Sequence, residues 1–161
     1  MVLAAQGKPI GASRVEEDAI DFAEKMLRES TSRGCRFHLP VDHVVAQSFA
    51  EDATSKVVET IEDGWMGLDV GPATAEGWSK LLLSCRTLLW NGPLGVFEWE
   101  AFANGTRTVA NTFANAEGYT VVGGGDSAAA ASAFEVAHRI DHVSTGGGAS
   151  LELLRTGDLV G

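Results

Sequence analysis

The chain is poor in cysteine, poor in basic residues and without a long apolar run. Its two cysteines, Cys35 and Cys85, stand outside metal-ligand spacing and are too few for a disulfide framework. That usage fits a reducing, cytoplasmic setting. No apolar run approaches the roughly 20 residues of a bilayer span, and no basic-then-apolar segment opens the sequence as a secretory signal would. No membrane role is expected. Lys and Arg number 12 against 22 Asp and Glu, for a net charge of -10. A nucleic-acid partner is therefore not expected, because a phosphate backbone calls for a basic face. There is no internal repeat, low-complexity tract or linker. His38, His43, His138 and His142 form no metal pattern, and Trp65, Trp78, Trp90 and Trp99 read most simply as core or rim aromatics.

What remains is a 161-residue chain with 45% hydrophobic residues, enough for one globular domain with a real core. Residues 15–33 have helical spacing, with Glu16, Glu17 and Asp18 in the first turn and Gly34 as a stop. Short strands are expected at 37–39 and 43–46, and an extended segment at 56–60. From residue 65 onward strands and helices alternate. The strands are 65–71, 87–90, 119–122 and 142–144; the helices are 73–85, 99–115, 127–138 and 149–155. Continuous apolar strands separated by helices predict an α/β fold, with an open parallel sheet covered by helices on both faces. In such sheets ligands sit beyond the carboxyl ends of the strands. The loops 67–71, 91–98, 123–127 and 144–148 all follow strand ends and are expected on one rim.

Two of these loops are glycine triplets, Gly123-Gly124-Gly125-Asp126-Ser127 and Ser144-Thr145-Gly146-Gly147-Gly148-Ala149-Ser150. A glycine turn between a strand and a helix bares backbone N–H groups at the positive end of the helix dipole, which is a phosphate cradle. Two cradles in one domain point to a phosphorylated ligand, most simply a nucleotide. Ser127 can donate to a phosphate oxygen, and Asp126 can hold a magnesium ion that bridges phosphates. A plain helix cap would also use Asp126 or Ser127, but a cap alone needs no glycines before it. The second triplet is equally readable as a tight strand-to-helix turn or as a cradle for a phosphoryl group in transfer. Asn91-Gly92-Pro93-Leu94-Gly95-Val96-Phe97-Glu98 either wraps a base or sugar, with Glu98 on ribose hydroxyls, or is a plain loop with a solvated glutamate. Gly123-x-Gly125-x-x-Ala128 also meets a dinucleotide fingerprint, but the next strand ends in Val143-Ser144 rather than in the acidic residue a ribose requires. The segments 90–98, 123–127 and 144–150 contain no Lys or Arg. Polyphosphate sites usually carry one, so magnesium or cations outside this chain must supply the charge.

Trp65-Met66-Gly67-Leu68-Asp69-Val70-Gly71-Pro72, the 90–98 loop, Gly123 to Ser127, and His142 through Leu154 occur in order, together with Leu3-Ala4-Ala5-Gln6-Gly7 and Leu39-Pro40-Val41-Asp42. In these motifs the chain closely resembles the C-terminal, nucleotide-binding part of phosphoglycerate kinase, over essentially its whole length. The resemblance implies a Rossmann-like three-layer sandwich, incomplete at its N-terminal side, with residues 1–161 forming part of the nucleotide lobe and the substrate lobe absent. It implies phosphoryl transfer between 1,3-bisphosphoglycerate and ADP, giving 3-phosphoglycerate and ATP, with Mg2+ as the companion of ATP or ADP. Carried over by position, Gly67, Asn91, Pro93 and Glu98 would line the adenosine site. Gly124, Gly125 and Ser127 would hold phosphates, Asp126 the magnesium, and Gly147 and Gly148 the transferring group. His142, Ser144 and Thr145 would lie at a hinge. The family's lysine-bearing glycine loop and basic patch would lie before Met1, so this chain alone is expected to be inactive. The whole enzyme is expected to be a monomer. The uncovered sheet edge and apolar face are expected to favour self-association of the isolated chain. The tail 155–161 and the residues Leu94 and Asp141 depart from the family pattern. A non-catalytic nucleotide-binding module derived from that lobe is the alternative.

Overall fold

The computed structural model describes residues 1–156. The end of the atypical tail, 157–161, and the side chains at 149, 150, 153 and 154 lie outside the described part. The chain forms two compact units, Met1–Thr74 and a second beginning at Ala75.

The first unit holds α1 (Val2–Ala5), α2 (Ile20–Ser32), β1 (His43–Ala46), β2 (Ser55–Val58) and β3 (Met66–Val70). A 3-10 turn at Glu17–Ala19 leads into α2, and its carboxylates sit where exposed N–H groups favour negative charge. Gly34, at φ 68°, supplies the left-handed residue that stops the chain from continuing as helix. The three strands pair in the order β2-β1-β3, and both pairings are antiparallel. All four residues of β1 are buried, as befits a central strand.

This corrects the expectation that the strand at 65–71 opens the parallel sheet. β3 lies antiparallel to β1, with His43 opposite Val70 and Ala46 opposite Met66. An apolar run reports burial, but carries no information on partner or direction. Residues 37–39 are not a strand either; Pro40, next to them, has no N–H to give a ladder.

The join between β1 and the start of α3 (Pro72–Leu82) is held by one buried carboxylate. Asp42 accepts from Ala73 N (3.0 Å), Thr74 N (2.8 Å) and Thr74 Oγ1 (2.5 Å). Its own N–H donates to Thr74 Oγ1 at 3.1 Å, and its carbonyl accepts from Gly71 N at 2.8 Å. Asp42 thus caps α3 from 31 and 32 residues away. Burial pushes this carboxyl up, but the bonds from Thr74 and Ala73, with the charge of His43, outweigh it and hold it below its usual 3.8. His43 is itself pushed below 6.5 by burial and by Lys8, against the pull of Asp42.

Both shifts act in the same direction on stability. His43 has a depressed folded pKa, so its contribution is complete above the unfolded value, near 6.5, and drains away as the pH falls from there. Asp42 follows below about 3.8. Urea unfolding of this unit is expected to show stability falling from pH 7 to pH 5. In His43→Gln that slope should flatten, and an unchanged slope would exclude His43 as its source.

The second unit contains β4 (Thr87–Trp90), α4 (Asn104–Asn115), β5 (Tyr119–Gly123), α5 (Gly125–Ala133), β6 (His142–Ser144) and α6 (Gly147–Thr156). Here the strands are parallel, in the order β4-β5-β6, with Trp90 opposite Val122 and Gly123 opposite Ser144. The chain is α/β, as its periodicity predicts. Leu88, Trp90, Val122, Val109, Phe113, Ala130 and Ala131 form the core, with the rings of Trp90 and Phe113 5.8 Å apart. The alanines of α5 let that helix approach the sheet closely. Burial along β4 alternates, so Leu89 faces outward, and Tyr119 and Val143 are also exposed.

The helix expected at 127–138 ends early. Glu135 adopts φ 57°, and a separate 3-10 turn follows at Ala137–Arg139. Asp141 then ties the entry of β6 to β5 by accepting from Thr120 N and Thr120 Oγ1, both at 2.8 Å. Those two bonds, the backbone one first, lower its pKa.

Candidate functional site

Because β4, β5 and β6 run parallel, the loops that follow them leave from one edge of the sheet. The first loop begins with Asn91 and Gly92, and Gly92 takes φ 114°. The second turns at Gly124, whose φ of 101° is favourable only for glycine. Gly124 N donates to Ser144 O at 3.0 Å, which fastens this turn to the end of β6. The third loop enters α6 at Gly147.

These turns meet. A Cβ placed on Gly147 would lie 2.9 Å from Gly124 Cα and 3.4 Å from Gly124 N. The two backbones are in contact, and only glycine at 147 permits it. Asn91 Oδ1 lies beside both, 3.4 Å from where a Cβ on Gly124 would stand and 3.6 Å from one on Gly147. Next to them, Ser127 Oγ accepts from Gly92 N at 2.5 Å. Asn91, Gly92, Gly124, Ser127 and Gly147 therefore form one cluster at the sheet edge.

Gly125, the first residue of α5, and Gly148, the second of α6, border open space. Asp126 is exposed in the first turn of α5, a nine-residue helix. The N–H groups of that turn and the adjacent carboxylate suit an anion and its cation respectively. Among the described residues no group of three His, Cys, Asp or Glu could hold a metal unaided. One carboxylate is nevertheless the donor set that Mg2+ uses when substrate phosphates and waters complete its octahedron.

Pro93 and Glu98 follow along the first loop, and Glu98 is exposed at its far end. Gly67 belongs to the first unit, in β3, where its N–H donates to Ser13 Oγ at 2.9 Å. A Cβ there would lie 3.1 Å from Ile61 Cδ1. Ser127 is 1% exposed, and its hydroxyl oxygen is engaged with the loop backbone.

Two features escaped sequence reasoning. Thr106, a fully buried hydroxyl on α4, accepts from Leu94 N at 3.0 Å and Gly95 N at 3.3 Å. A threonine on the apolar side of a helix beside a glycine-proline loop is its only trace in the sequence. The first unit also contains a cavity of about 520 Å³, lined by Leu3, Lys8, Phe37, Leu39, His43 and Ile61 among others. None of the expected site residues lines it.

Three cations of the second unit are paired with neighbouring carboxylates. Lys80 pairs with Glu76, Arg107 with Glu100 and Arg155 with Glu152. Among the described residues, no helix is long and apolar enough to cross a membrane.

The family model described as phosphoglycerate kinase matches residues 1–157. The phosphoglycerate kinase of Moorella thermoacetica is 51% identical over 154 residues, and that of Clostridium tetani 48% over 159. These alignments cover 94% and 98% of this chain but 39% and 40% of the relatives. The structure of phosphoglycerate kinase from Coxiella burnetii superposes with a TM-score of 0.92 at 39% identity, over 96% of this chain and 40% of that one. The enzyme from Pyrococcus horikoshii OT3 gives a TM-score of 0.82 at 30% identity, over 98% of this chain and 40% of that one. The chain thus spans about 40% of the length of its relatives, and it belongs to the phosphoglycerate kinase family.

Proposed function

We propose that this chain supplies Mg-nucleotide binding for the reversible transfer of a phosphoryl group between 1,3-bisphosphoglycerate and ADP. The observation that carries the proposal is the contact of the two glycine turns at Gly124 and Gly147, with Asn91 beside both. In this reading residues 1–161 are part of a nucleotide-binding lobe. The Gly124 and Gly125 turn would hold the nucleotide phosphates at the start of α5, with Ser127 contributing its backbone amide there, since its hydroxyl is buried and accepts from Gly92 N. Asp126 would hold the nucleotide's Mg2+, which supplies charge neutralisation when bound. Gly147 and Gly148 would present amides to the phosphoryl group as charge develops on it. Asn91, Pro93 and Glu98 would face the nucleoside, with Glu98 accepting from ribose hydroxyls. In the transfer, an ADP β-phosphate oxygen attacks the acyl phosphorus. The bond from phosphorus to the carboxyl oxygen breaks, and 3-phosphoglycerate leaves as the carboxylate.

The scarcity of cations limits what these residues achieve. The three loops contain no Lys or Arg, and phosphoryl transfer depends on electrostatic stabilisation and on closure that excludes water. The chain by itself therefore binds nucleotide without appreciable turnover. The same shortage favours a second reading, a non-catalytic nucleotide-binding module. Calorimetric titration of the chain with Mg-ADP should show saturable binding, weakened at least about tenfold in Asp126→Asn. A coupled assay for ATP formation should stay at background. Absence of binding would defeat both readings, and robust turnover would defeat the claim of inactivity and the module reading.

A further inference from the structure

The loop after β4 has a hydrogen-bonding pattern that determines what it can recognise. Four consecutive residues, Gly92 to Gly95, turn every available amide inward. Gly92 N donates to Ser127 Oγ at 2.5 Å. Pro93 has no N–H. Leu94 N and Gly95 N both donate to Thr106 Oγ1, at 3.0 and 3.3 Å. Ser127 and Thr106 are 1% and 0% exposed, so both hydroxyls belong to the protein interior and hold the loop from behind. Trp90 Nε1 also donates to Gly92 O at 2.6 Å, which fixes the first peptide of the loop.

A loop whose amides are all consumed cannot act as an anion nest. It contrasts with the turn at Gly124–Gly125, where open space borders the glycine at the start of α5. The two loops meet at one edge; Gly124 N is likewise spent, on Ser144 O, but the first-turn amides of α5 that follow it have no partner within the helix. We infer that Thr106, assisted by Ser127, is a positioning residue that fixes loop 92–95 with its amides inward, in the conformation by which the loop proposed above to face the nucleoside meets it. The loop then offers a ligand apolar surface, the Asn91 side chain and carbonyl acceptors, which suit a base or sugar bearing N–H and O–H donors. This inference rests on the nucleotide reading above, and it divides labour within that site.

Thr106→Val removes the hydroxyl and leaves two partly buried amides without their acceptor. Thr106→Ser keeps the hydroxyl on the same atom. Amide hydrogen exchange on the ligand-free chain reads the positioning directly. Leu94 and Gly95 should exchange slowly in the parent chain, at least about tenfold faster in Thr106→Val, and slowly again in Thr106→Ser. In binding, Thr106→Val should weaken adenosine and Mg-ADP about tenfold or more while leaving inorganic pyrophosphate within about twofold. A general loss of folding would weaken pyrophosphate equally, and Thr106→Ser should restore adenosine. Unchanged exchange at Leu94 and Gly95 in Thr106→Val overturns the inference, as does equal loss of adenosine and pyrophosphate. A parent chain with the expected exchange pattern that binds no Mg-ADP would instead defeat the nucleotide reading, and with it the loop's role as a nucleoside reader.

Discussion

Gly147→Ala is expected to weaken Mg-ADP binding by about a hundredfold while the chain stays folded. The added Cβ would stand 2.9 Å from Gly124 Cα, and ordinary contacts of a Cβ begin at 3.4 Å. The obstructing atom is backbone, so no rotamer change relieves it. One of the two turns must move by several tenths of an ångström. Displacements of reacting or binding groups on the scale of 1 Å cost about two orders of magnitude in well-positioned sites. The move also disturbs the bond from Gly124 N to Ser144 O, which fastens the turn to β6. Gly77→Ala is the matched control. It adds the same atom in α3, where nothing lies within 4 Å. Its affinity should be unchanged, and its stability should rise by about 0.5–1 kcal/mol, since alanine is the better helix former. Calorimetry on the three proteins, with circular dichroism to confirm folding, decides the matter. Equal affinity of Gly147→Ala and the parent would mean that contact between the turns is irrelevant to the ligand.

Gly71→Ala is expected to destabilise the first unit by about 3 kcal/mol or more. Gly71 is not in a left-handed conformation, so its backbone tolerates any residue. The constraint is spatial, because a Cβ would overlap the carboxyl group of Asp42. Either that carboxylate leaves Ala73 N, Thr74 N and Thr74 Oγ1, or the end of β3 separates from β1. The first outcome strands a buried charge and uncaps α3; the second breaks the bond from Gly71 N to Asp42 O. Asp42→Ala in the same background provides the check. The carboxylate is then absent, so the two substitutions together should cost less than the sum of each alone. Urea denaturation that finds the two effects additive would show that Gly71 and Asp42 do not conflict.

How much of this was legible in the sequence follows from the range of the interactions. The parallel sheet of the second unit was readable because Thr87–Trp90, Tyr119–Val122 and His142–Ser144 are short strands, the first two largely apolar, separated by helices. The glycine turns were readable because a left-handed residue such as Gly124 leaves a mark in composition. What was hidden depends on residues distant along the chain. Nothing local in Met66–Val70 announces that it pairs antiparallel with His43–Ala46. Nothing near Asp42 reveals that it caps a helix beginning at Pro72. Ser127 illustrates the same limit within the site. Its position at a helix start suggests a phosphate donor, while its observed bond goes to Gly92, 35 residues away. Thr106 was invisible for the same reason, since the amides it accepts from are in a loop whose path the sequence does not specify.

The central claim is that the turns at Gly124 and Gly147 hold one nucleotide together. The most direct measurement follows the Mg-ADP titration amide by amide, by two-dimensional NMR of the chain. The account predicts that Gly124, Gly125, Asp126, Gly147 and Gly148 shift together along a single saturation curve, and that the curve moves to higher concentration when Mg2+ is withheld. Shifts confined to one of the two turns, or saturating at separate concentrations, would contradict it.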